Sequence, residues 1–126
     1  MPNASGSSVR PLADGQSNAS YKRVMRTVTG FGITQDEVSK AVGAAVRTVQ
    51  TWASGDNKPT GVKARRLLDV QTIGLLLGDV YTNEGIGIWL HSRNRNLGLR
   101  RPIDLLTEGH IDEVLNEAET LAGGYS

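Results

Sequence analysis

The chain has 126 residues, is 38% hydrophobic and only 5% aromatic, and carries a formal net charge of +1. That length supports one compact domain or two very small ones, and so few rings require an aliphatic core. The lack of cysteine excludes a disulfide scaffold, thiolate zinc sites, iron–sulfur ligation and cysteine catalysis.

Two histidines, His91 and His110, leave little for a histidine metal site. No apolar run approaches the ~18–20 residues that span a bilayer. Met1 to Ser20 lack the apolar segment of a secretory signal. A soluble, cytoplasmic protein is expected.

The near-zero charge hides a division. Residues 21–66 hold nine basic and three acidic side chains, net +6. Residues 67–126 hold four basic and nine acidic ones, net −5. From Ile103 onward there are six acidic residues and no Lys or Arg. A basic first half suits a polyanion such as DNA, whereas an acidic second half does not.

Residues 1–19 are rich in Ser, Gly, Asn and Ala, with Val9 and Leu12 as the only large aliphatics. They read as a disordered tail. From Ser20 the pattern is helical, with Tyr21, Val24, Met25 and Val28 on one face. Gly30 and Gly32 end that helix. Thr34 caps the next, with Glu37 three residues on as a capping box. Val38, Ala41 and Val42 make its inner face, and Gly43 supplies a turn. Val46, Val49 and Trp52–Ala53 form the next apolar stripe, closed by Gly55.

Pro59 and Thr60 open a long helical stretch through about Val80. Its apolar positions (Val62, Leu67, Leu68, Val70, Ile73, Leu75, Leu76, Leu77, Val80) cover more than one face. Such a helix is buried on several sides, by the domain or by a second subunit. Gly74 and Gly78 either admit a close neighbour or mark a break. Glu84 to Leu90 reads as a short helix whose Trp89 and Leu90 pack into the core. A basic loop, Arg93 to Pro102, follows. Pro102 then opens a short helix over Ile103 to Leu106, which Gly109 ends. Ile111, Val114, Leu115, Ala118, Leu121 and Ala122 form the apolar face of a last helix. Its outer face carries Asp112, Glu113, Glu117 and Glu119. Tyr125 beyond it is expected to fray. No strand signal competes, so the fold class is all-α.

Residues 34–52 read as helix, glycine turn, helix, at the spacing of a helix-turn-helix. A small residue, Ala41, stands where the helices cross, Gly43 allows positive φ, and Val46, Val49 and Trp52 lock the second helix. That leaves Arg47, Thr48, Gln50 and Thr51 facing outward. Arg suits the acceptor edge of guanine and Gln the adenine edge. Gln35, at the start of the first helix, can meet a phosphate, and Lys58 suits another.

Thr34-Gln35, Val42-Gly43, Arg47-Thr48-Val49, Trp52 and Gly55…Lys58-Pro59 resemble the Xre/Cro-type helix-turn-helix. Ala45 departs from the Ser or Thr that usually opens the recognition helix there, which removes a cap worth roughly 1 kcal/mol. Val46 also replaces a frequently polar position and narrows the reading surface. Further on, Trp89-Leu90, Asn94, Leu97-Gly98, Pro102 with Asp104-Leu105-Leu106, and Gly109 resemble the toxin-binding domain of Xre/MbcA/ParS antitoxins. Together the two motifs cover about residues 21–122.

The resemblance implies a helix-turn-helix bundle over 20–66 that binds operator DNA. A long apolar helical segment joins it to a helical dimerisation and toxin-binding domain over 67–126. The implied partner is a RES-domain toxin, which consumes NAD and whose active site the C-terminal region covers. A homodimer or a larger toxin–antitoxin assembly follows. Partner contact falls to Arg93, Asn94, Arg95, Arg100, Arg101, Glu117 and Leu121; read from the residues alone, the four arginines equally suit a nucleic acid or plain solvation. A stand-alone transcriptional regulator is the competing reading. No cofactor, metal, membrane or catalytic role is expected. Gly85-Ile86-Gly87 is only a fragment of a dinucleotide motif, and the acidic pairs of the last helix lie on an exposed face.

Overall fold

A computed structural model describes residues 16–123. The Ser/Gly-rich tail and Tyr125 lie outside the described residues, except the tail's last four positions. Among the described residues the chain is all-α: seven α-helices, one 3-10 turn and no strand beyond a single bridge pair. The helices are α1 (Asn18–Gly30), α2 (Gln35–Val42), α3 (Val46–Ser54), α4 (Gly61–Leu77), α5 (Asn83–Leu90), α6 (Pro102–Thr107) and α7 (Ile111–Gly123).

The first helix begins at Asn18, two residues before Ser20, so it takes in the last two positions of the expected tail. Ser17 caps it, its hydroxyl accepting the Ser20 N–H at 3.0 Å. Tyr21, Val24, Met25 and Val28 are its buried face. The capping box of α2 is present as the sequence predicts. Thr34 Oγ1 accepts the Glu37 N–H at 3.1 Å, and Glu37 Oε1 accepts the Thr34 N–H at 2.9 Å. Gly43 closes α2 at φ 79°, a conformation a β-carbon would strain.

Helix α4 is the centre of the molecule. It packs along α7 on one side and against α1 and α2 on another. That explains its many apolar positions: Ala64, Leu67, Val70, Ile73, Gly74 and Leu77 are buried. Fully burying one such aliphatic side chain stabilises the fold by about 1.5–3 kcal/mol. The coverage is incomplete, since Val62 (64%) and Leu75 (55%) stay exposed.

The helix stops at Leu77, three residues short of Val80. Gly78 is its C-cap, so that glycine marks the end of the helix. Gly74 instead admits a neighbour. A β-carbon there would lie 1.9 Å from the Phe31 ring, which seats the α1–α2 connection on α4.

One mainly aliphatic core, with Tyr21, Phe31 and Trp52 built into it, runs through both halves of the sequence. It includes Val38, Val49 and Trp52 from the first half and Leu90, Ile103, Leu106, Ile111, Val114 and Ala118 from the second. A division at residues 66 and 67 falls inside α4. Trp89 is only half-buried, yet it packs on this core. Helix α6 has Pro at its first turn, where a missing N–H costs nothing.

Candidate functional site

Two surfaces hold the residues that the sequence singles out. The first is the helix–turn–helix of α2 and α3. Val49 and Trp52 are buried and fix α3 by its inner side, while Val46 is half-buried. Arg47 and Gln50 project into solvent. Thr48 and Thr51 are half-buried, and the Thr51 hydroxyl donates to the Thr48 carbonyl at 2.6 Å. The outward set therefore divides into two exposed readers and two threonines partly absorbed by the helix.

The start of α3 has no side-chain cap, because Ala45 offers no acceptor. Its first N–H groups stay available to an anion. Gln35 is half-buried and lines a shallow depression of about 220 Å³ with Lys22, Met25, Arg26, Thr29 and Ala53. Lys22 and Arg26 are one helical turn apart on α1, so the sequence carried a signal for these two cations beside Gln35.

Not every cation of the basic half faces outward to a ligand. Lys40 pairs with Asp36 at 3.2 Å. Lys58 Nζ donates to the Gln16 carbonyl at 2.8 Å. Arg66 Nη1 reaches the Val42 carbonyl at 3.5 Å, at the negative end of the α2 dipole. Arg47 takes part in no ion pair among the described residues.

The second surface is the loop from Arg93 to Arg101 with α6 and α7. Asn94 organises it. Its side chain accepts the Asn96 N–H at 2.8 Å, and its backbone pairs with that of Arg100. A 3-10 turn spans Arg95–Leu97, and Leu97 packs on the core. Asn96 Nδ2 donates to Glu117 Oε2 at 2.9 Å, which ties the loop to α7.

Arg100 is paired with Glu108, and Arg101 grips Asp104 through two bonds of 2.8 Å. The hydrogen bond from Arg101 holds the Asp104 carboxyl below its usual range, and that from Arg100 does the same for Glu108. Of the four loop arginines, Arg93 and Arg95 are exposed and in no ion pair among the described residues. Leu121 is half-buried and packs on the core, so only part of its surface remains for a partner.

A polar contact links α2 to the end of α5. His91 Nε2 lies 4.0 Å from Glu37 Oε2, and its Nδ1 pairs with the Gly87 carbonyl at 2.8 Å. On the far side, burial and the nearby Asp112 push the Asp69 carboxyl up, against the pull of Arg65. Among the described residues no group of His, Asp or Glu is placed to hold a metal, and no helix is long and apolar enough to cross a membrane.

No protein-family model matches the chain. Curated relatives do. The probable mycobacterial cidal antitoxin Rv3188 of Mycobacterium tuberculosis is 37% identical over 94 residues, 75% of this chain and 80% of that protein. This chain belongs to the mycobacterial cidal antitoxin (MbcA) family. MbcA of M. tuberculosis and of M. bovis are each 29% identical over 107 residues, 85% of this chain and 95% of theirs. Among solved structures, the M. tuberculosis MbcT–MbcA toxin–antitoxin complex contains a chain that matches with a TM-score of 0.66 and 29% identity. The match covers 82% of this chain and 94% of that one. The all-helical fold is therefore that of an antitoxin.

Proposed function

We propose that this chain is the antitoxin of a two-protein pair. It neutralises a RES-domain, NAD-consuming toxin by laying its C-terminal region over the active site, and it binds operator DNA through α3. The observation that carries the reading is the structural match over 94% of the antitoxin chain in a toxin–antitoxin complex. The geometry agrees with it. Helix α7 exposes Asp112, Glu113 and Glu119, while its other side is built into the core through Ile111, Val114 and Ala118. A site that binds a pyrophosphate is commonly basic, so this acidic face fits it electrostatically. On the other surface Arg47 and Gln50 stand exposed on a helix locked from behind.

Co-expression with the product of the adjacent reading frame tests the pair. A stable complex and restored growth are expected. Free growth inhibition and no complex would sink the reading. Deleting residues from Gly109 onward is a poor version of this test, because it removes Ile111, Val114 and Ala118 from the core.

A further inference from the structure

We infer that Leu99 is an apolar anchor for the protein partner, entering a pocket with an acidic rim. The inference rests on the antitoxin reading and adds a contact outside α7. Among the described residues Leu99 is the one non-glycine with positive φ, at 65°. Glycine or asparagine takes up that conformation readily, whereas a leucine is strained in it.

The strain is held in place by the loop. The Leu99 N–H donates to the Asn94 carbonyl at 2.8 Å, and its own carbonyl accepts from Arg93 Nη1 at 3.2 Å. On either side, Asn94 N–H reaches the Arg100 carbonyl at 3.0 Å and Arg100 N–H reaches the Leu97 carbonyl at 3.2 Å. Leu97 seats the loop on the core. The backbone of Leu99 is thus fully engaged, yet its side chain is 59% exposed. The fold gains little from that isobutyl group. Strain kept by an over-determined surrounding marks a functional position. A side chain already held in place also loses little freedom on binding.

Charge identifies the occupant. Arg93 lies against the anchor and Arg95 is exposed in the same loop, both in no ion pair among the described residues, so carboxylates around an apolar pocket complement it. A nucleic acid does not fit, because Glu108 and Asp104 neutralise Arg100 and Arg101, and Glu117 lies against Asn96.

The test uses the full chain, co-purified with the product of the adjacent reading frame, and the variants L99G, L99N and L99M. Melting temperature, dissociation rate and sedimentation are measured. L99G and L99N should melt above the parent chain and release the partner at least tenfold faster, while L99M should hold it nearly as well. Unchanged release from L99G and L99N overturns the anchor and leaves the antitoxin reading standing. Loss of self-association with unchanged partner binding overturns it too, because the occupant is then a second copy. If the parent chain binds no partner, the antitoxin reading fails and the anchor falls with it.

Discussion

Arginines occur in both candidate surfaces, and they are not equivalent. Arg47 on α3 is exposed and in no ion pair among the described residues. Arg100 and Arg101, at the end of the loop, are held by Glu108 and Asp104. The difference comes from what stands nearby in sequence. Helix α3 contains no acidic residue, whereas α6 carries Asp104 in its first turn, three positions after Arg101. A count of cations therefore overstates the loop as a polyanion surface and understates α3.

The largest expected effect concerns what holds the two regions together. Gly74→Ala puts a methyl into the Phe31 ring and should cost about 1–3 kcal/mol in denaturant unfolding. Phe31→Leu in the same chain should recover part of that loss. A neutral Gly74→Ala would mean that the α1–α2 connection is not seated on α4 as described. Arg47→Ala sharpens the contrast between arginines. It should weaken site-specific DNA binding by roughly 1–3 kcal/mol, measured by fluorescence anisotropy across a salt series. Arg100→Ala should leave DNA binding nearly unchanged.

The paired helices give a smaller contrast. Thr34→Ala removes a working cap and should cost about 1 kcal/mol, whereas Ala45→Ser supplies a missing one and should add a similar amount in thermal unfolding. The smallest effect is one of pH. Folding lowers the carboxyl pKa values of Asp104 and Glu108, so their contribution is present above the unfolded carboxylate range. It is lost as pH falls through the depressed folded values. Asp69 runs the other way, because burial raises its pKa and its charge weakens the fold as pH rises. Comparing unfolding of the parent chain with Asp104→Asn and Asp69→Asn between pH 3 and 6 (roughly the carboxylate window) separates these opposite slopes.

Most of the architecture was legible because its signals are local. The stripe Tyr21–Val24–Met25–Val28, the Thr34–Glu37 box and the Pro102 helix start all act within one or two turns. The sequence overstates the length of α4, since Val80 extends the apolar pattern past Leu77, where the helix ends. Long-range features were not legible. Nothing in the sequence says that Gly74 meets Phe31, that Lys58 reaches Gln16, or that Arg100 finds Glu108. Leu99 was invisible for a different reason: glycine advertises positive φ and leucine does not.

The most direct test of a DNA face on α3 and a separate partner face on α7 is growth of cells that express the product of the adjacent reading frame with each of two variants of this chain. One carries Arg47→Ala, and the other reverses Asp112, Glu113 and Glu119 to Lys on the exposed side of α7. With both variants folded by circular dichroism, Arg47→Ala should restore growth as the parent chain does, and the charge-reversed chain should not. Rescue by the charge-reversed chain, or loss of rescue with Arg47→Ala, would contradict the account.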